Sequence, residues 1–178
     1  MKTKDLTRVA LFAALMAICS WISIPSSVPF TLQTLGVFMS VGLLGKKRGT
    51  LAVIVFLLLG LFGLPVFSGF KGGVGVLLGP TGGYLIGFIG TAYLMASILE
   101  RYGRSAVSML LAMAIGLIVC YAFGTAWFMI VYNKAQGTIT LFTTLSMCVF
   151  PFIIPDILKI IVSYLLIKKL YPILSRQS

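Results

Sequence analysis

A helix needs roughly 20 mostly apolar residues to cross the hydrocarbon of a bilayer. This chain offers six such candidate runs, over about 6–25, 31–46, 49–65, 81–100, 105–131 and 144–168. The second and third are short, which tilting or support from neighbouring protein accommodates. Thr50 to Leu64 carries no charge at all, and the fifth run is long enough to continue beyond the hydrocarbon. Composition agrees: 60% of residues are hydrophobic, 10% are charged, and mean hydropathy is +1.11. Soluble domains carry about a quarter charged residues, so this chain has too little polar material to clothe a water-facing surface. The expectation is an all-α membrane protein of six transmembrane helices, with 178 residues forming one domain (1–178). The first run has a basic start (Lys2, Lys4, Arg8), but it is long for a cleaved signal and no A-x-A site follows. It is read as a mature helix.

Positive charge orients the spans. With six of them, both termini share one side, and that side carries Lys2, Lys4, Arg8, Lys46, Lys47, Arg48, Arg101, Arg104, Lys168, Lys169 and Arg176. These are 11 of the 14 basic residues; Lys71 and Lys134 fall on the other side, and Lys159 lies within a span. Cytoplasmic loops are enriched in Lys and Arg, so both termini are expected in the cytoplasm. Topology thus accounts for the net charge of +11, and no basic stripe with interleaved aromatics points to nucleic acid. Trp21 and Trp127 fall near the expected outer ends, as interfacial anchors do.

The missing chemistry narrows the function. There is no His, and the acids are Asp5, Glu100 and Asp156 alone. Most His-dependent metal sites and acid–base mechanisms therefore fall away. Cys19, Cys120 and Cys148 are scattered through apolar runs without a CxxC pair, which reads as buried structural thiols. Neither metal nor cofactor is expected, and no enzyme activity.

Three regions interrupt the apolar pattern. In Pro29–Thr34 the chain re-enters the membrane, with Gln33 on the first turn of the second span. Its amide both donates and accepts, and it either meets a ligand or faces headgroups. The second region, Gly63 to Tyr84, is rich in glycine yet largely apolar. A disordered linker would be polar. Irregular backbone at membrane depth survives where protein buries it or where it lines a cavity, so this external loop is expected to fold back over a ligand site. Lys71 at its centre is the candidate to meet an anion. Gly75, Gly79, Gly83 and Gly87 recur every four residues, a packing face from Gly79 onward. No Gly-Lys-Ser/Thr phosphate loop is present.

The third region is Pro151 to Lys159. Asp156 and Lys159 are three apart, on one helix face. Lys159 is nine residues before Lys168, about 13 Å from the expected cytoplasmic end. A charge there costs several kcal/mol unless paired or hydrated, so the pair marks a functional site or a self-satisfied structural bridge. Pro155 is read as the start of the regular helix, leaving a helix amino end beside the pair. In the first run, Ala10/Ala14 and Ala13/Ala17 are small-xxx-small pairs, which let another helix approach closely.

Four segments, VPFTLQTLGV (28–37), GLPVFSGFKGG (63–73), LGPTGGYLIGF (78–88) and PFIIPDILK (151–159), together resemble the BioY family. These are the biotin-specific substrate-binding (S) components of energy-coupling factor (ECF) transporters, and the resemblance spans nearly the whole chain. It implies a six-helix membrane domain in a prokaryotic plasma membrane that captures biotin from outside with high affinity. It also implies a transmembrane coupling protein and two cytoplasmic ATPases as partners, with ATP used by those partners only, and a loaded S component that topples to deliver its ligand inward. The first-helix alanines, here Ala10, Ala13, Ala14 and Ala17, would dock on the coupling protein. Asp156 and Lys159 match the family's last-helix polar pair. Lys71 stands where some relatives hold Asn, and Leu85 where some hold Arg, so the division of labour among the polar ligands stays open.

Residue chemistry is compatible with biotin. Its carboxylate suits a Lys, with Lys71 and Lys159 available. Its ureido N–H groups suit Asp156, and the ureido carbonyl suits donors such as Gln33, Thr81 or backbone N–H groups of the loop, Gly73 among them. Phe67, Phe70 and Tyr84 could form apolar walls around a few convergent polar groups. Another small vitamin, a lipid-modifying membrane enzyme, and a channel or a transporter working alone are the competing readings. The absence of His and of clustered carboxylates disfavours the enzyme.

Overall fold

In the computed structural model, residues 2–26 and 28–175 are described. Nearly all of this is helix: α1 (Thr3–Trp21), α2 (Gln33–Leu61), a short α3 (Val74–Leu78), α4 (Gly82–Tyr102), α5 (Ala106–Gln136), α6 (Leu141–Cys148) and α7 (Phe150–Ser175). A minimal antiparallel pair, β1 (Ser23–Ile24) and β2 (Phe30–Thr31), closes the α1–α2 connection. α1 packs along α2, α4 along α5, and α2 also contacts α4 and α7. Met16, Phe38, Val41, Phe56, Met95 and Met113 fill the centre. By length and composition, α4, α5 and Phe150–Leu174 of α7 are apolar enough to cross a membrane.

The helix ends follow local chemistry. Ser105 and Thr140 cap α5 and α6 by accepting from the backbone N–H of Ser108 and Thr143. Asp5 accepts from the Lys2 N–H at the start of α1 (3.3 Å). α4 stops at Gly103, whose φ of 76° lies in the left-handed region.

Two expected boundaries need correction. The runs 31–46 and 49–65 are not separated by a loop: α2 continues through Lys46, Lys47 and Arg48, broken only at Gly45 (φ 78°, ψ −175°). That break suffices to reverse the chain. Residues eight apart in an intact helix are about 12 Å apart, yet a Cβ on Gly49 would come within 2.7 Å of the Val41 Cα. The last run, 144–168, is two helices, parted at Val149 (φ −128°). Proline lacks an N–H and its ring clashes with the carbonyl four residues back, so Pro151 ends α6 and sits in the first turn of α7. Pro155 is therefore inside α7. The amino end of α7 is at Phe150, not beside Asp156.

The ionic contacts gather α1, α2 and α4 at one end. Arg48 pairs with Asp5 (3.0 Å) and Lys46 with Glu100 (3.3 Å). Arg8 donates to the Leu174 carbonyl, joining the first and last helices there (3.4 Å). Arg176, expected with the basic residues of that end, lies outside the described residues.

The Gly63–Tyr84 connection is compact. A 3₁₀ turn (Ser68–Phe70) closes a Phe67–Lys71 bridge, and α3 follows. Both tryptophans hold it: Trp21 Nε1 donates to the Pro65 carbonyl (2.8 Å) and Trp127 Nε1 to that of Gly79 (3.0 Å). Gly83 and Gly87 serve as a packing face, because a Cβ on Gly83 would overlap Trp127 and one on Gly87 would touch Cys120. Gly75 meets nothing within 4 Å and takes no part in that face.

Candidate functional site

A cavity of about 300 Å³ opens inside the end of the bundle away from the clustered basic residues. Its volume is at the small end of the range for ligand pockets. Three charged residues line it, Lys71, Asp156 and Lys159, so the charged lining sums to one positive. Most of the remaining wall is apolar or aromatic and includes Val28, Phe67, Tyr84, Leu85, Phe88 and Phe152.

The charged pair is the most elaborated part. Asp156 is 2% exposed and Lys159 5% exposed. Lys159 Nζ donates to Asp156 Oδ1 at 2.6 Å. Thr34 at the start of α2 donates to the same oxygen (3.4 Å), and the Tyr121 hydroxyl of α5 donates to Oδ2. Three helices thus converge on one carboxylate. Lys159 also sits over the Phe30 ring, 4.1 Å from its centroid, and Phe30 stacks on Phe152 (6.1 Å). Buried charges need such pairing and hydrogen bonding to be tolerated.

Gln33 is buried at the first position of α2. Its Oε1 accepts from Thr31 Oγ1 (2.9 Å). Its Nε2 has no partner, which leaves a buried donor on the cavity wall. An unpaired buried donor costs about 1–3 kcal/mol, and a ligand acceptor would relieve that cost.

The remaining expected residues divide. Thr81, the residue before α4, lines the cavity, as does Tyr84, whose hydroxyl meets Thr125 Oγ1 at 3.3 Å. Lys71 is exposed and reaches the cavity from the loop. Phe67 lines it and is 1% exposed. Phe70 does not. The positive φ of Gly69 and Phe70 turns its ring outward, where it stacks on Trp21 at 5.2 Å. Gly73 is not on the lining either, and its N–H is spent on the Gly60 carbonyl (2.6 Å). Cys120 and Cys148 are free, buried and part of the wall, whereas Cys19 is buried elsewhere.

Sequence reasoning missed Tyr121, Thr34 and Phe30. The signal for Tyr121 was present: a hydroxyl midway along an apolar 31-residue helix must find a partner. Of the first-helix alanines, Ala13 and Ala17 are buried in the core, while Ala10 and Ala14 are exposed.

Fold and cavity together define a helical membrane protein with a polar-ended, small-molecule-sized cavity inside its bundle. The chain belongs to the BioY family, whose profile matches residues 1–176. It is 41% identical over 169 residues to the biotin transporter BioY of Thermotoga maritima, covering 94% of this chain and 95% of the relative. It is 37% identical over 173 residues to a probable biotin transporter BioY of Pyrococcus horikoshii, covering 96% and 98%. Among solved structures, it is similar to the S-component for biotin from an ECF-type ABC transporter. The TM-score is 0.85 at 33% identity, covering 96% of this chain and 94% of that one. These relatives are transporters, not enzymes.

Proposed function

We propose that this chain is the biotin-binding S component of an ECF-type transporter. One observation carries the reading: an otherwise mostly apolar cavity holds a buried ion pair and one further lysine, so its charge complements a monocarboxylate. Lys71 meets the biotin carboxylate. The Asp156–Lys159 pair and the Gln33 amide meet the ureido ring, with Asp156 accepting from ureido N–H and Gln33 Nε2 donating to the ureido oxygen. Thr81 supplies a further hydroxyl. Tyr84, Phe67 and Phe152 pack on the alkyl chain and thioether ring.

The chain forms one domain with six spans: α1, the two arms of α2 on either side of Gly45, α4, α5 and α7. The basic end, with both termini, faces the cytoplasm. Energy comes from a transmembrane coupling protein and two ATPase subunits that use ATP; the chain itself carries no cofactor. The coupling protein docks on the exposed Ala10/Ala14 stripe of α1, while Ala13 and Ala17 serve internal packing.

Calorimetry of the purified protein against biotin and biotin amide tests the carboxylate assignment. Wild type should bind the amide at least about tenfold more weakly, and Lys71→Ala should bind both ligands alike at the weaker level. A Lys71→Ala protein that still prefers the acid would remove Lys71 from that role, and absence of biotin binding by wild type would end the proposal.

Docking has its own signature. Ala14→Leu should lower biotin uptake by cells expressing the whole transporter about fivefold, with equilibrium biotin binding unchanged. Equal uptake by wild type and variant would move the docking face elsewhere.

A further inference from the structure

A second cavity, of about 380 Å³, lies at the basic end between the start of α5 and the last third of α7. Arg104, Lys168, Tyr164 and Tyr171 supply its polar lining, and Met109 and Ile167 its apolar floor. The Arg104 guanidinium is held in place. It stacks on the Tyr171 ring (4.1 Å to the centroid) and donates to the Gly42 carbonyl of α2. Lys168 Nζ lies 6.0 Å from the Tyr164 ring centroid.

Among the described residues, no carboxylate is left to balance these two cations. The only acids are Asp5, Glu100 and Asp156, and they pair with Arg48, Lys46 and Lys159. A fixed planar fork and a lysine on one cleft are suited to a phosphate, which Arg grips through paired N–H groups. The surroundings point to its source. Leu165 and Ile161 precede Lys168 by three and seven residues, on the same face of α7, and both are exposed. They extend the cleft as an apolar track toward the middle of the helix. A free phosphate has no use for such a track; an acyl chain does.

We propose that this cleft binds the phosphate of an anionic phospholipid, with its acyl chains along α5 and α7. Basic pockets between transmembrane helices favour anionic headgroups, and each cation contributes about a fivefold preference.

Native mass spectrometry of the detergent-purified full chain tests this with phosphatidylglycerol, phosphatidylcholine and inorganic phosphate. Wild type should retain about 25-fold more phosphatidylglycerol than phosphatidylcholine, and excess inorganic phosphate should not displace it. Lys168→Gln should remove most of the preference, and Arg104→Gln with Lys168→Gln all of it. Lys168→Gln breaks no backbone contact, so it keeps the test decisive should the double variant fail to fold. Lys169→Gln, a neighbour off the cleft, should retain the wild-type preference. Equal retention of the two lipids, an undiminished preference in Lys168→Gln, or an equal loss in Lys169→Gln would overturn the proposal. Displacement by inorganic phosphate would reassign the cleft to the free ion and overturn it likewise.

Discussion

Lys159→Ala is expected to weaken biotin binding at least about tenfold, as is Asp156→Asn, in equilibrium titrations of purified protein. The two should differ in stability. Removing the lysine strands a carboxylate that is 2% exposed, supported only by Thr34 and Tyr121. Breaking a buried pair in this way costs about 3–5 kcal/mol. Asparagine at 156 keeps its carbonyl as an acceptor for Lys159, places an NH2 donor where Tyr121 can turn its hydroxyl to accept, and leaves the lysine over Phe30, so it should melt closer to wild type. A structural bridge would produce the same losses, and the paired replacement separates the cases. Exchanging both members of a buried pair for apolar residues of similar size is often neutral or stabilising. Asp156→Leu with Lys159→Met should therefore melt near wild type and still fail to bind biotin. A double variant that binds biotin normally would show the bridge to be scaffolding.

The parts of this site visible from the chain alone were those in which chemistry contradicts its surroundings. A carboxylate and an ammonium three residues apart in an apolar run demand partners whatever the packing. So does a glycine-rich connection too apolar to be a linker. What stayed hidden depended on which way a helix turns. Ala10/Ala14 and Ala13/Ala17 have the same spacing and size, yet one pair faces outward and the other lies in the core. Tyr121 finds Asp156 across 35 residues of chain, which follows from the rotation of α5 against α7 and from no local pattern. Phe67 and Phe70 were equivalent as candidate walls. The positive φ at Gly69 and Phe70 sends one ring outward and leaves the other 1% exposed. The helix start expected at Pro155 failed because two prolines compete for that role, and Pro151 comes first.

Gly60→Ala should lower biotin affinity about tenfold although residue 60 is not on the cavity wall. The Phe67 ring lies where a Cβ on Gly60 would stand. It is held edge-on by Phe56, with centroids 5.5 Å apart at 84°. The Gly60 carbonyl accepts from the N–H groups of Gly63 (3.1 Å) and Gly73 (2.6 Å), and the Phe67 N–H donates to the Lys71 carbonyl (2.9 Å). One methyl group therefore displaces Phe67, and the same short bridge carries Lys71 with it. Overpacking of this kind costs about 1–3 kcal/mol. The affinity loss thus comes from a misplaced lysine and wall, and a smaller side chain at 67 should reverse part of it. Gly60→Ala with Phe67→Leu is expected to bind biotin at least about fivefold better than Gly60→Ala alone, because leucine vacates the volume the ring filled. If the second substitution instead compounds the first, Gly60 does not set the loop through Phe67.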